Sequence, residues 1–132
     1  MSSTPFFSVI TITFNAEEFI KQTVESILSQ EFNDFEYIII DGASKDRTLE
    51  IINSYEDKFR EKGIKTSFYS EPDRGLYDAM NKGISKASGK YIWFINAGDT
   101  IAESDVAGKV FKSAIDNLPD FIYGETKKCR IF

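Results

Sequence analysis

The chain has 132 residues, 42% of them hydrophobic and 14% aromatic, enough to bury one core but too few for two comfortable domains. Sixteen basic against twenty-one acidic residues leave a formal charge of −5, and no Lys/Arg run is long enough to track nucleic-acid phosphates, so nucleic acid is excluded as a partner class. With no histidine and one cysteine, Cys129, the chain has no Cys/His zinc site, intrachain disulfide, Ser-His or Cys-His nucleophile; its chemistry rests on carboxylates, hydroxyls, amides, Lys/Arg or a metal.

Phe6 to Thr13 (FFSVITIT) is a β-branched and aromatic run, the composition of a first strand buried on both faces. From Glu17 to Gln30, Phe19, Ile20, Val24, Ile27 and Leu28 recur at helical spacing. Phe35 to Ile40 (FEYIII) predicts a second buried strand, and Leu49, Ile52, Tyr55 and Phe59 mark one following helix that Asp46 can cap. Thr66 to Ser70 is a weaker third strand. Leu76, Ala79, Met80, Gly83, Ile84 and Ala87 then form a helical stripe ending at Gly89, read as a left-handed C-terminal position. Lys90 to Ile95 is a fourth strand, Ala107 to Leu118 a further helix after Ser104, and Asp120 to Tyr123 a last short strand. Strands alternating with helices at these separations imply an α/β fold, a mostly parallel, doubly wound sheet with helices on both faces, forming one domain over residues 1–132. Met1 to Phe7 has neither a basic n-region nor an apolar h-region, and no stretch approaches the roughly 20 apolar residues of a membrane span. The expectation is a cytoplasmic protein without a transmembrane segment, compatible with a peripheral station at the inner membrane face.

The polar residues concentrate where such a fold binds ligands, beyond the carboxyl ends of the strands. The strand ends read Thr13-Phe14-Asn15, then Asp41-Gly42-Ala43-Ser44-Lys45-Asp46, then Glu71-Pro72-Asp73-Arg74-Gly75, then Asn96-Ala97-Gly98-Asp99, whereas the opposite margin carries few carboxylates. Turn and cap chemistry accounts for any one of these loops. A ligand accounts for the asymmetry. No G-x-G-x-x-G follows the first strand and no P-loop occurs, which disfavours dinucleotide and P-loop binding.

The blocks V-I-T-I-T-F-N at 9–15, I-I-I-D-G-A-S-K-D-R-T at 38–48, E-P-D-R-G at 71–75 and N-K-G-I-S-K-A-S-G-K-Y-I-W-F-I-N-A-G-D at 81–99 together resemble the family-2 glycosyltransferases. The resemblance implies a GT-A fold that binds a nucleoside diphosphate sugar and transfers the sugar with inversion to a glycan or lipid-linked acceptor, with Mg²⁺ or Mn²⁺ as cofactor. Carried over by position, Thr13 and Asn15 lie in the loop under the nucleotide, Asp41 contacts the base, and Asp73 and Gly75 close over base and ribose. Ser44 belongs to the same donor-binding block. Asn96 and Asp99 fall in the D-x-D region, with Asp99 as the metal ligand; Asp78 opens the third helix at the rim, where it favours the helix dipole or touches the sugar. Many relatives read D-x-D-D where this chain reads N-A-G-D, so only one carboxylate remains. The family's general base and acceptor lobe follow this region, and the expectation is that the chain stops short of them, with Glu125 the only late acidic candidate and no catalytic base assigned. The competing reading is a nucleotide-sugar-binding module without turnover. A sheet lacking that lobe is expected to expose surface that favours a homo-oligomer.

Overall fold

A computed structural model of the chain describes residues 4–120. Four strands, β1 (Phe7–Thr13), β2 (Phe35–Asp41), β3 (Thr66–Ser70) and β4 (Tyr91–Phe94), form one parallel sheet in the order β3-β2-β1-β4. The helices are α1 (Ile20–Leu28), α2 (Thr48–Asn53), α3 (Glu56–Glu61), α4 (Leu76–Lys86) and α5 (Val106–Ala114). The last expected strand lies, beyond Asp120, outside the described residues, as do Glu125 and Cys129.

Every residue of β2 is buried, as its unbroken apolar run requires of a central parallel strand. Its alternate side chains enter two cores. Phe35, Tyr37 and Ile39 join Phe7 and Val9 against Ile20, Val24 and Ile27 of α1, Ile52 of α2, Phe59 of α3 and Ala107 of α5. Ile38 and Ile40 join Ile10 against Ala79 of α4 on the other face. Tyr37 is fully buried, and its hydroxyl meets Thr11 Oγ1 at 2.7 Å, which donates in turn to Ile95 O at 2.6 Å. That chain satisfies groups whose burial unpaired costs about 1–3 kcal/mol each. Burial, only partly offset by the Thr11 bond, raises the Tyr37 pKa above its ordinary value, so the phenol stays neutral.

Three local expectations are corrected. The helix expected to run through Leu49 and Phe59 is divided, because Ser54 Oγ bonds the Ile51 carbonyl at 2.6 Å and Tyr55 N reaches back only to Ile52 O; these three-residue closures tighten and end α2. Gly89 is not a left-handed helix end: α4 stops at Lys86 and Ala87 is extended. Gly89 is needed for close approach, since a Cβ there would lie 2.6 Å from Ser8 N and 2.7 Å from Phe7 C. The helix after Ser104 begins at Val106 and ends at Ala114, short of Leu118, whose φ of 44° is left-handed.

Ser8, Glu36 and Ser88 clamp the margin where the strands begin. Glu36 Oε2 accepts from Ser8 Oγ at 2.6 Å, Ser88 N at 2.7 Å and Ser88 Oγ at 2.8 Å, while Ser8 Oγ accepts from Gly89 N at 2.7 Å. Burial acts to raise the Glu36 pKa, but the bonds from Ser8 and Ser88 and the charge of Lys65 outweigh it and hold the carboxyl below its ordinary value of 4.5.

Connections β1 to β2 to β3 run in one direction across the sheet, and α4 carries the chain back to place β4 on the far side of β1. The order therefore reverses between β1 and β4, the switch point at which open α/β sheets bind ligands beyond the carboxyl ends of their strands. Gly83 lets α4 approach: a Cβ there would lie 2.8 Å from Ile10 Cγ2.

Candidate functional site

The carboxyl margin is assembled by hydrogen bonds between loops distant in sequence. Thr13 and Asp41 are register partners at the ends of β1 and β2, and Gly42 N donates to Thr13 O at 3.0 Å. Asp41 is 1% exposed. Its Oδ2 accepts from Ser44 N at 2.7 Å and Ser70 Oγ at 2.8 Å, and its Oδ1 accepts from Ser44 Oγ at 2.5 Å. These bonds hold a tight turn in which Ala43 adopts a left-handed φ of 62°. In this conformation Asp41 is a clasp for the loop, the turn-acceptor role that its residue type also predicts.

Ser44 is the hub between loops. Its Oγ accepts from Asn15 N at 2.8 Å, and Asn15 Oδ1 accepts from Lys45 N at 2.9 Å. Asn15 has a φ of 45°, a left-handed position that asparagine tolerates. Ala16 N donates to Thr48 Oγ1 at 2.8 Å and Glu17 N to Asp46 Oδ2 at 3.2 Å. Asp46 Oδ1 also accepts from Thr48 N at 3.0 Å, so Asp46 serves both the start of α2 and the loop after β1. Desolvation opposes its ionisation, but the hydrogen bonds from Thr48 and Glu17 lower its pKa overall. Three successive amides leading into α1, those of Asn15, Ala16 and Glu17, are engaged by this stitching.

The third loop folds onto the second. A Cβ on Gly42 would lie 2.8 Å from Asp73 Oδ2 and 3.3 Å from Phe14 Cδ1, so the Asp73 carboxylate and the Phe14 ring close over this glycine. Asp73 Oδ1 accepts from Gly75 N at 3.1 Å, and Gly75 takes a φ of 113° at the start of α4. Asp78 braces the same loop, accepting from Arg74 N at 2.9 Å and lying 3.6 Å from Lys82 Nζ. The Arg74 amide and the Lys82 charge together lower its pKa. Asp78 is thus committed to its own loop. Phe14, beside Asp73 and Gly42, is 63% exposed.

Across β1, Asn96 Oδ1 accepts from Ile12 N at 3.1 Å, extending the strand ladder with a side chain in place of a carbonyl. Asp99 N donates to Asn96 O at 2.8 Å, and Gly98 has a φ of 99°. The Asp99 side chain is exposed and makes no hydrogen bond among the described residues.

All nine predicted residues occupy this margin, but not as one pocket. Thr13, Asn15, Asp41, Ser44, Asp73 and Gly75 form a continuous set; Asn96 and Asp99 stand on the other flank of β1; Asp78 stands at the start of α4. Thr13 Oγ1 is buried with no hydrogen-bond partner among the described residues, a vacancy that costs about 1–3 kcal/mol unless another group fills it. Phe14 escaped the sequence reading because an aromatic adjoining a buried strand reads as core; its position one residue past the strand end was the available signal. The margin is an open lip. A cavity of about 390 Å³ lies instead at the opposite margin, lined by Asn33, Glu36, Lys65 and Ser88 among others, and includes none of these residues.

Among the described residues no group of three or more His, Cys, Asp or Glu could hold a metal by itself. One exposed carboxylate fits only the mode in which Mg²⁺ or Mn²⁺ is shared with the phosphates of a bound ligand and water. Arg74 and Lys45 are exposed cations on adjoining loops, with no side-chain ion pair among the described residues.

Residues 8–131 match the family model described as glycosyl transferase family 2. A PGL/p-HBAD biosynthesis glycosyltransferase of Mycobacterium bovis is 34% identical over 122 residues, which are 92% of this chain and 46% of that protein. The chain therefore spans just under half the length of that relative. The structure of Staphylococcus aureus TarS 1–349 with UDP-GlcNAc superposes with a TM-score of 0.70 at 29% identity, covering 84% of this chain and 31% of TarS. The Pyrobaculum calidifontis mannosyltransferase PcManGT, solved with GDP-Man and Mn²⁺, shares the fold with a TM-score of 0.73 at 21% identity, covering 84% of this chain and 32% of its own.

Proposed function

The chain belongs to glycosyl transferase family 2, and from that membership we propose that residues 1–132 form the nucleotide-sugar-binding domain of an inverting GT-A glycosyltransferase. The observation that carries the reading is the convergence of four strand-end loops on one margin, with an exposed aromatic face at Phe14 and an exposed carboxylate at Asp99 on the two flanks of the switch-point strand.

The roles follow from the chemistry of each group. Phe14 offers a face on which a nucleobase stacks, and Thr13, buried at the end of β1, anchors the loop that passes beneath the nucleotide. The Asp41–Ser44 clasp holds Asn15 and Ala43 in their left-handed conformations and so shapes the floor beneath the nucleotide. Asp73 and Gly75 form its upper lip. Asn96, whose Oδ1 is engaged by Ile12 N, has its amide NH₂ available to donate to the diphosphate, and Arg74 and Lys45 add positive charge. Asp99 is the residue that would hold a divalent cation, which when bound would supply charge neutralisation for the departing diphosphate. In transfer, an acceptor hydroxyl of a glycan or lipid-linked compound attacks the anomeric carbon opposite the diphosphate. The carbon–oxygen bond to the diphosphate breaks, the new glycosidic bond forms with inverted configuration, and the hydroxyl proton passes to a general base. None of the described residues is assigned that base.

Calorimetric titration of UDP-, GDP- and dTDP-sugars with and without Mn²⁺ tests the reading. It predicts saturable, Mn²⁺-enhanced binding of one nucleotide class, weakened about tenfold or more in Asp99→Ala, in line with charge-assisted contacts. Equal affinity of Asp99→Ala and the parent, or no binding, contradicts it. Release of free sugar from the donor distinguishes turnover from a binding module.

A further inference from the structure

We propose that Thr23, on the sheet-facing side of α1, is a positioning residue for Asp99, fixing the direction in which that carboxylate leaves the chain; the inference rests on the donor-site reading above. Asp99 sits in a connection without regular secondary structure between β4 and α5. α1 and the turn after it hold that connection. Thr23 Oγ1 accepts from Gly98 N at 3.0 Å, Ser26 Oγ accepts from Ile101 N at 3.1 Å, and Gln30 spans Glu103 O at 2.7 Å and Ala107 N at 3.0 Å.

Thr23, inside the apolar face of the amphipathic α1, and Gln30, just past its end, are polar residues only 0% and 1% exposed. Buried polar side chains are retained where they have partners, and each of these two bonds the Asp99 connection, Thr23 at Gly98 N and Gln30 at Glu103 O. The Thr23 hydroxyl proton is directed at Phe19 O, 3.5 Å away, which turns a lone pair toward the Gly98 N–H. The Asp99 amide is pinned separately by Asn96 O at 2.8 Å. Both amides flanking the Gly98 Cα are therefore held, Gly98 is fixed at its left-handed φ of 99°, and the Asp99 Cα–Cβ direction follows from that geometry. Thr23 touches no substrate in this scheme; it acts through Asp99.

The test uses the full chain and its Thr23→Val, Thr23→Ser, Ser26→Ala and Asp99→Ala variants. Exchange of the Gly98 amide is followed by NMR, and the affinity for UDP and GDP is measured with and without Mn²⁺. Thr23→Val is expected to speed Gly98 exchange about tenfold and to cut the Mn²⁺-dependent gain in nucleotide affinity about tenfold, the order expected from one hydrogen bond. Metal-free affinity stays within about twofold, since the contacts to base and ribose are untouched. Thr23→Ser, which keeps the hydroxyl, restores both. Should Thr23→Val fail to fold, Ser26→Ala, at a half-buried site, stands in: it speeds exchange of the Ile101 amide that Ser26 holds and cuts the Mn²⁺-dependent gain by less. A Mn²⁺-dependent gain that is abolished in Asp99→Ala but intact in Thr23→Val, or in Ser26→Ala where that variant stands in, overturns the inference alone. A parent chain with no Mn²⁺-dependent gain, or one that Asp99→Ala leaves intact, overturns the donor-site reading and the inference with it.

Discussion

Replacing Asp41 by alanine removes the acceptor of three hydrogen bonds, from Ser44 N, Ser44 Oγ and Ser70 Oγ, at a residue 1% exposed. A hydrogen bond to a charged acceptor contributes about 1.5–3 kcal/mol, and the three are coupled through one carboxylate, so the loss is less than their sum. Relief of the left-handed Ala43 returns about 1–2 kcal/mol. The expected net destabilisation is about 3 kcal/mol, a large part of the roughly 5–15 kcal/mol that holds a domain folded. It corresponds to a fall of about 10 °C in the unfolding midpoint. Asp41→Asn keeps one acceptor oxygen but turns an NH₂ toward donors, and loses about 2 kcal/mol. Urea denaturation monitored by circular dichroism, with the slope compared between variants, measures both. An Asp41→Ala chain within about 0.5 kcal/mol of the parent refutes the clasp. Weaker ligand binding by Asp41→Ala combines loop disorder with lost contact, so Phe14 and Asp99, both exposed, are the cleaner binding probes.

Phe14→Ala is expected to leave stability within about 0.5 kcal/mol while weakening nucleotide binding by about 1–3 kcal/mol, the range for base–aromatic stacking; calorimetry and thermal melts separate the two. Gly83→Ala places a methyl 2.8 Å from Ile10 Cγ2 and is expected to destabilise by about 1–3 kcal/mol through overpacking, measured by urea unfolding. Glu36 has a folded pKa below its ordinary 4.5, so its stabilising contribution is present above about pH 4.5 and disappears as pH falls through the folded value. The stability gap between parent and Glu36→Gln, about 1–3 kcal/mol near neutral pH, therefore narrows below pH 4.5 in acid titrations of urea unfolding; a gap that widens there contradicts the clamp.

β1 and β2 were legible because burial on both faces demands continuous apolar runs, and FEYIII at 35–40 permits little else. Gly89 was not, because a glycine after a helical stripe suits either a left-handed cap or a backbone contact, and only the packed position of Ser8 decides between them. The break between α2 and α3 depends on one hydroxyl, Ser54, choosing a carbonyl over water. At the margin, residue types and loop positions were readable one by one, but their partners were not. Ser44 and Asp46 accept from amides, and Asp41 from the Ser70 hydroxyl, each nearly thirty residues away, and Thr23 and Gln30 support Asp99 across more than seventy residues. Hydrogen-bond pairing at such separations follows from the topology, which no local pattern encodes.

The most direct test of the donor-binding margin is amide chemical-shift mapping of the chain titrated with UDP and GDP in the presence of Mg²⁺. The account predicts perturbations at Phe14–Ala16, Gly42–Ser44, Asp73–Gly75 and Asn96–Asp99, on both flanks of β1. Shifts confined to Asn33, Glu36, Lys65 and Ser88 on the opposite margin, or none with either nucleotide, would contradict it.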